Sequence, residues 1–339
     1  MTGYVISADI GGTKTLLHAA ESRDGNSQVC YERLYPSRDY PSFSDVLRDF
    51  LDQPKVVELG GKPVAACFAV AGPIAQQTVS LTNLPWVMDS EALAEEFSIP
   101  AVKLINDFKA VALSIDILSP DDLVTLQPGK PHAQGVRVVL GAGTGMGGAW
   151  LIWQEGGYIS SLSSEAGHTD FAPADALQDQ LLLYLRKKFG HVSIERLLSG
   201  PGMTNIFNFV FDSFGAGLGV SGLEQVRLND NSAAQVSDLA FQHKHPIAVK
   251  TMDLFVEIYG AYAGNLALAG LSRGGAYVAG GIAPKIIDKL REGGFMKAFC
   301  DKGRLSALMG EIPVHVVMNP KAGLLGATRE AQHMLLKND

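Results

Sequence analysis

The sequence predicts an α/β protein made of two lobes, and three observations support this prediction. Stretches with the period of strands and stretches with the period of helices alternate along the chain. An apolar strand, a glycine-rich turn and a second strand follow one another twice, at residues 4–20 and 136–153. The chain has 339 residues, 47% of them hydrophobic, and therefore exceeds the usual size of a single core. We expect a small α/β domain at 1–118 plus 319–339 and a large α/β domain at 119–318.

Alternating elements follow the first hairpin, whose strands we place at 4–8 and 15–20. Apolar runs predict further strands at 63–71, 79–81 and 102–105. Helical spacing of apolar residues predicts helices at 42–52, 89–97 and 108–118. A C-terminal helix at 326–336 should pack back on this first lobe.

The second lobe should contain helices at 176–189, 205–214 and 246–269. Another helix is predicted to begin near Ile194 and to end at the sequence Gly200-Pro201-Gly202. A strand at 276–279, a turn at Gly280-Gly281 and a helix at 284–291 form a third glycine-containing unit. Its backbone is able to approach adenosine or phosphate closely.

Both glycine-rich hairpin turns suit the binding of phosphate groups, because glycine lets backbone N–H groups approach a ligand. Asp9 stands just before the first turn, and its carboxylate is able to hold Mg²⁺ directly or through water. A nucleotide held between two related halves, as in an ATP-dependent phosphotransferase, is the chemistry that this combination indicates. The turn residues are Gly11, Gly12, Thr13 and Lys14 in the first hairpin and Gly143, Thr144 and Gly145 in the second. Lys14 either neutralises phosphate charge or is an ordinary solvated lysine.

Two other nucleotide-binding motifs do not fit. Residues 143–148 match the spacing G-x-G-x-x-G, but that fingerprint must open a helix, and the aromatic, β-branched sequence 149–153 predicts a strand. Residues 12–15 resemble half of a P-loop, but Thr13 stands where a glycine must precede the lysine.

The composition of the chain indicates which kinds of partner and which cellular compartment to expect. The net charge of −7, without a dense cluster of Lys and Arg, argues against nucleic acid and anionic membranes as partners. Cys30, Cys67 and Cys300 are far apart and lack metal-ligand spacing, so we expect buried thiols in a reducing compartment. The sequence contains no apolar run of 18 residues, and Asp9 precedes any signal-peptide core. We therefore expect a soluble, cytoplasmic protein.

Asp107 is the candidate general base, because it follows a buried strand and begins a helix, with Asn106 beside it to bind a sugar hydroxyl. Its alternative role is that of a helix cap. Glu165 and His168, separated by Ala and Gly, suit neighbouring hydroxyl groups of a polyol. Glu195 stands near a helix start. Glu165 and Glu195 are otherwise solvated surface acids, and His168 a structural histidine.

Eight sequence blocks closely resemble the bacterial glucokinases of the actin/hexokinase-like superfamily, in the same order and over essentially the whole chain. They are Asp9-Ile-Gly-Gly-Thr13, Leu104-Ile-Asn-Asp-Phe108, Gly141-Ala-Gly-Thr-Gly145, Glu165-Ala-Gly-His168 with Asp170-Phe-Ala-Pro173, Gly190-His-Val-Ser-Ile-Glu-Arg196, Leu198-Ser-Gly-Pro-Gly202, Ala279-Gly-Gly-Ile282 and Gly323-Leu-Leu-Gly326.

The resemblance implies a two-lobed actin/hexokinase-like (ribonuclease H-like) ATPase fold with an interlobe cleft, and a homodimer. The implied reaction transfers the γ-phosphoryl group of ATP to the 6-hydroxyl of glucose, with Mg²⁺. Asp107 would be the base, and the three glycine turns, including Gly280 and Gly281, would surround ATP. The sugar would be bound by Asn106, Asp107, Glu165, His168 and Glu195.

The sequence departs from the family pattern in two places. Ser164-Glu165-Ala-Gly-His168 replaces the commoner Gly-Glu-Gly-Gly-His. Lys14 stands where some members carry Asn, and in this it resembles the related ROK sugar kinases. ROK enzymes usually carry a cysteine-rich zinc motif, but residues 169–202 contain no cysteine, so we expect no zinc. Two alternatives stay open: a kinase for another hexose or N-acetylated amino sugar, and a sugar sensor without turnover.

Overall fold

The computed structural model describes residues 3–23, 26–72, 74–81, 84–154, 159–215, 217 and 233–336. The chain divides into two compact units, which we call unit 1, Met1–Ser119 with Asn319–Asp339, and unit 2, Pro120–Met318. Strands and helices alternate in both units, so the predicted α/β class is confirmed.

The strands are β1 Tyr4–Ile10, β2 Lys14–Arg23, β3 Asn26–Pro36, β4 Ala65–Val70, β5 Thr78–Ser80, β6 Val87–Asp89, β7 Val102–Asn106, β8 Leu123–Gln127, β9 Arg137–Ala142, β10 Met146–Trp153, β11 Ile159–Ser164, β12 Gly275–Ala279 and β13 Val314–Val317. The helices are α1 Phe43–Leu51, α2 Pro54–Val57, α3 Ser90–Phe97, α4 Asp107–Ser114, α5 Ala176–Phe189, α6 Gly200–Phe214, α7 Ala233–Phe241, α8 Pro246–Ala269, α9 Ile287–Arg291, α10 Gly294–Cys300, α11 Ser306–Met309 and α12 Ala322–Leu336.

Unit 1 is built on a five-stranded sheet with the order β3-β2-β1-β4-β7. The first three strands form an antiparallel meander, and β4 and β7 run parallel to β1. Ile10 pairs with Val70, and Val70 with Asn106, so the three parallel strands end at the same edge of the sheet. The segments that follow these strands are therefore brought together.

The sheet of unit 1 is covered on both faces. A cluster of aromatic side chains packs on one face, with Phe43, Phe50, Phe68 and Trp86 almost completely buried. Helices α4 and α12 cover the other face, where small residues such as Ala110 and Ala327 are fully buried. The C-terminal helix thus packs within unit 1, as predicted, and Gly326 lies against the carbonyl of Ala110 with no room for a side chain.

Unit 2 repeats this topology. Its six-stranded sheet has the order β11-β10-β9-β12-β13-β8, in which a three-stranded antiparallel meander is again followed by two parallel strands, β12 and β13. The sixth strand, β8, pairs antiparallel with β13 and has no counterpart in the sheet of unit 1. Helix α8 is apolar on most of its surface and lies in the centre of the core of this unit. The two glycine-rich hairpin turns therefore occupy the same place in two related sheets, β1 to β2 and β9 to β10.

Several predicted elements need correction. Residues 194–196 form a single 3₁₀ turn, and Gly200-Pro201-Gly202 begins α6 instead of ending a helix, because Ser199 caps the helix and Pro is tolerated in a first turn. The predicted helix at 284–291 is a 3₁₀ turn, Ala283–Ile286, followed by α9. Only Cys67 of the three thiols is buried, whereas Cys30 and Cys300 are partly exposed. Among the described helices, none combines the length and the hydropathy that crossing a membrane requires.

Candidate active site

The first glycine turn joins β1 to β2, and hydrogen bonds from Ser37 stabilise it. The backbone N–H of Gly11 donates to the carbonyl of Lys14 (2.9 Å), which closes the turn. Ser37 donates its N–H to the carbonyl of Thr13 (3.0 Å) and its hydroxyl to the carbonyl of Gly11 (2.9 Å). Thr13 and Lys14 are exposed. The turn is therefore fixed through its carbonyl groups while its tip remains accessible to a ligand.

Asp9 lies near the end of β1, at the sheet edge where β7 also ends. Burial, and to a smaller extent the negative charge of the nearby Asp107, together raise the pKa of its carboxyl to about 6. A methyl group on Gly323, in the first turn of α12, would lie 3.1 Å from Asp9 Oδ2. The carboxylate of Asp9 thus lies in a confined site with a second negative charge, that of Asp107, nearby.

Asn106 and Asp107 have different roles at the start of α4. Asn106 is the N-cap: its Oδ1 accepts from the N–H groups of Phe108 (2.9 Å) and Lys109 (3.2 Å). Asp107 is the first helical residue and accepts from Phe108 N–H (2.8 Å). Burial raises the pKa of Asp107, and hydrogen bonds from the backbone and Asn106 oppose this shift. Since Asn106 supplies the cap, the alternative role of Asp107 as a helix cap is wrong.

In unit 2, the second glycine turn joins β9 to β10 and is tied to the start of α6. Gly143 donates its N–H to the carbonyl of Gly145 (2.8 Å) and accepts from the N–H of Gly200 (2.8 Å). Thr144, at the tip, is exposed. The same sequence that we expected to end a helix therefore supports the turn.

The third glycine turn packs directly on the second. Gly280 has a φ of +83° and lies so close to Ala142 that a Cβ would be 2.5 Å from that residue's carbonyl oxygen. Gly141 approaches Ala279 in the same way. The buried hydroxyl of Tyr259, on α8, accepts from Ala142 N–H (3.0 Å) and donates to the carbonyl of Ala279 (3.5 Å). The second and third turns thus form one backbone-packed group.

Two segments that carry the candidate sugar-binding residues of unit 2 contact the backbone of Met146, the first residue of β10. Glu195 Oε2 accepts from Met146 N–H (2.9 Å). Gly167, between Glu165 and His168, lies against the carbonyl of Met146 with no space for a side chain. Residues 169–171 and 192–194 also pair through two backbone hydrogen bonds, Phe171 N–H to the carbonyl of Val192 and Ile194 N–H to that of Thr169. Glu165 and His168 are exposed, and Glu195 is half-buried.

The structure therefore gathers the candidate residues into one group in each unit. Unit 1 holds Asp9, Gly11, Gly12, Thr13, Lys14, Asn106 and Asp107, and unit 2 holds Gly143, Thr144, Gly145, Glu165, His168, Glu195, Gly280 and Gly281. The sequence did not predict the supporting roles of four residues: Ser37, Gly323, Gly200 and Tyr259. The glycines of the block 323–326 were a signal that a backbone approaches something closely, but their sequence does not say what.

The residues near Asp9 fit a magnesium ion bound together with phosphate groups. Among the described residues, no group of three or more His, Cys, Asp or Glu side chains could hold a metal ion by itself. Mg²⁺ is commonly held by one or two carboxylates together with substrate phosphates and water, so such a group is not required. Asp9, with Asp107 near enough to shift its pKa, offers a carboxylate next to the first glycine turn.

Comparison with known proteins shows which family the chain resembles. A family model described as glucokinase matches residues 6–334. The glucokinase of Trichormus variabilis is 41% identical over 336 residues, which cover 95% of this chain and 97% of that protein. The crystal structure of a glucokinase from an Antarctic psychrotroph has a TM-score of 0.87 at 33% identity and covers 98% of this chain and 100% of its own. A ROK family glucokinase from Streptomyces griseus, solved with glucose and AMPPNP, shares the fold with a TM-score of 0.60 at 20% identity, over 98% of this chain and 100% of its own.

The chain is therefore a sugar kinase with the actin/hexokinase-like fold, which confirms the predicted fold and the predicted kind of enzyme. Because the family model covers nearly the whole length and relatives exceed 30% identity, the chain belongs to the glucokinase family.

Proposed function

We propose that this protein is an ATP-dependent glucokinase, which transfers the γ-phosphoryl group of ATP to the 6-hydroxyl of glucose. The observation that carries the proposal is the match to the glucokinase family over residues 6–334. The paired glycine turns and the half-buried carboxylates at one sheet edge of unit 1 are the groups that such a reaction needs.

Asp107 is the proposed general base. In the reaction, the O6–H proton of glucose moves to the Asp107 carboxylate while O6 forms a bond to the γ-phosphorus. The bond between that phosphorus and the oxygen bridging to the β-phosphate breaks, and ADP leaves. Burial raises the pKa of Asp107, which makes its carboxylate a stronger base than an ordinary surface aspartate.

Asn106, Asp107, Glu165, His168 and Glu195 are proposed to bind the sugar hydroxyls, and the turns at 11–14, 143–145 and 280–281 to bind ATP. Asn106 already uses its Oδ1 as a helix cap, and its Nδ2 donates one N–H to the carbonyl of Gly72 (3.4 Å), so the second N–H of this amide is the group offered to the sugar. Asp9 would hold Mg²⁺, which when bound neutralises charge on the phosphates. We also propose that the enzyme is a cytoplasmic homodimer. Light scattering tests the dimer, because one chain has a mass of 36.1 kDa.

A coupled assay with a panel of sugars and donors tests the proposed function. We expect the highest kcat/KM with glucose among glucose, mannose, fructose and N-acetylglucosamine, and higher activity with ATP than with GTP or polyphosphate. A higher kcat/KM for another sugar would make the enzyme a kinase of that sugar. Glucose binding without turnover, measured by calorimetry, would instead support a sugar sensor and contradict the proposal.

A further inference from the structure

The carboxylate of Glu195 occupies the space in which a side chain of Gly145 would lie. A Cβ built on Gly145 would be 2.6 Å from Glu195 Oε2, the same oxygen that accepts from Met146 N–H at 2.9 Å. Gly145 does not have a positive φ, so its backbone conformation does not require glycine. The closest contact that excludes a side chain at this position is the carboxylate itself.

The main chain of Glu195 is tied to the same place. Ser199 donates its hydroxyl to the carbonyl of Glu195 (2.7 Å) and accepts from the N–H of Gly202 (3.0 Å). The next residue, Gly200, donates its N–H to the carbonyl of Gly143 (2.8 Å). Both ends of Glu195 are therefore fixed relative to the second glycine turn, the side chain by Met146 and the backbone by the start of α6.

We propose that Gly145 is a positioning residue for the sugar: by lacking a side chain, it lets the Met146 amide hold the Glu195 carboxylate where glucose is bound. This proposal rests on the proposed function. The second glycine turn then serves two ligands, because a displacement of the turn also displaces the hydrogen-bond donor of Glu195. Gly145 affects glucose affinity without touching glucose.

The variant Gly145→Ala tests this role, and Gly143→Ala is its matched control. The alanine methyl at 145 would displace the end of a flexible side chain, so the fold is retained, whereas a Cβ at 143 meets nothing within 4 Å. Calorimetry with glucose alone, without nucleotide, separates sugar binding from any change in ATP binding. We expect Gly145→Ala to weaken glucose binding about tenfold or more, as for the loss of a charge-assisted hydrogen bond, and Gly143→Ala to change it less than twofold.

A double-mutant cycle separates displacement of the carboxylate from a general distortion of the turn. In the Glu195→Ala background the methyl at 145 has no carboxylate to displace. Gly145→Ala should therefore change glucose affinity less than twofold in that background. An equal loss in both backgrounds would overturn the proposal, because the effect would then come from the backbone of the turn.

The proposed function and the role of Gly145 fail in different ways. If the wild-type protein neither binds nor phosphorylates glucose, the proposed function is wrong. If the wild type does both and Gly145→Ala binds glucose as tightly as wild type, the positioning role is wrong. Amide exchange of Met146 gives a second measurement: it should accelerate in Glu195→Ala, and unchanged exchange would contradict the hydrogen bond on which the role depends.

Discussion

At the scale of single residues, Asp9 links stability to function. Its pKa is raised from 3.8 in an unfolded chain to about 6, so the folded protein binds the proton more tightly than the unfolded chain does. The contribution of protonated Asp9 to the free energy of unfolding is therefore fully present below pH 4. It is lost as the pH rises through 6, which lowers the free energy of unfolding by about 3 kcal/mol. At neutral pH the carboxylate of Asp9 is ionised and destabilises the fold. In our proposal, the Mg²⁺ that binds together with ATP would compensate this negative charge.

The variant Asp9→Asn should separate the two effects. Without ligands, its free energy of unfolding at pH 7 should exceed that of wild type by up to about 3 kcal/mol, and the difference should vanish near pH 4. Its activity with magnesium and ATP should fall strongly at the same time. Urea unfolding between pH 4 and pH 7.5 measures the first effect. Asp288→Asn, a change at a side chain 95% exposed, is the control, and a variant less stable than wild type at pH 7 would contradict the prediction.

Asp107→Asn tests the proposed base at the same scale. Asn106 supplies the cap of α4, so the substitution should leave the helix intact and keep glucose binding within about tenfold. Loss of a general base should lower kcat by about 100-fold or more. Asp175→Asn, which keeps a capping residue at the start of α5, serves as a matched control with wild-type kcat. A folded Asp107→Asn enzyme with nearly normal kcat would exclude Asp107 as the base.

The sequence predicts some of these residues better than others. Asn106 and Asp107 are predictable because the end of a strand and the start of a helix adjoin in the chain. The contact between Glu195 and Met146 joins residues 49 positions apart, so no local pattern reports it. Resemblance alone assigns Glu195 to the sugar, while its hydrogen bond ties it to a turn proposed to bind ATP.

At the scale of elements, the predictions succeed for long helices, in which the helical spacing of apolar residues repeats over several turns. Helices α5 and α8 begin and end at the predicted residues. The edge strand β3 was not predicted, because its Val29 and Leu34 are exposed and its sequence lacks a clear alternation. Strand β6, which pairs with β5, was also not predicted. It has only three residues, and this length is too short to give a periodic signal.

Helix α8 offers an element-scale prediction, because two tyrosines three residues apart support different groups. The hydroxyl of Tyr259 accepts from Ala142 N–H beside the second and third glycine turns, whereas that of Tyr262 donates to the carbonyl of Ala166 (2.6 Å), next to Glu165. Tyr259→Phe leaves a buried N–H unpaired, which should cost about 1–3 kcal/mol of stability. We expect it to raise KM for ATP severalfold and leave glucose affinity unchanged.

Tyr262→Phe is the matched partner and should show the opposite pattern, with weaker glucose binding and a normal KM for ATP. Steady-state kinetics and calorimetry on both variants test the assignment. If the two substitutions change the same kinetic constant, the tyrosines contribute to general stability and not to separate groups.

At the scale of the whole molecule, residues of both units share each proposed role. The groups proposed for glucose are Asn106 and Asp107 in unit 1 and Glu165, His168 and Glu195 in unit 2. The turns proposed for ATP are likewise divided, with 11–14 in unit 1 and 143–145 and 280–281 in unit 2. The repeated sheet topology explains why each unit presents a glycine turn at the equivalent connection.

Hydrogen exchange tests this division, because a ligand slows the opening of the segments that it contacts. Glucose at 100 times its Kd stabilises the bound state by about 2.7 kcal/mol, which should slow exchange roughly 100-fold where opening requires dissociation. We expect slower exchange with glucose alone at 104–110 in unit 1 and at 164–170 in unit 2. A non-hydrolysable ATP analogue should instead protect the glycine turns of both units. The variant Glu165→Gln, with weakened glucose binding, should lose the protection by glucose in both segments at the same sugar concentration. Protection confined to one unit would show that the residues of the other unit do not bind the sugar.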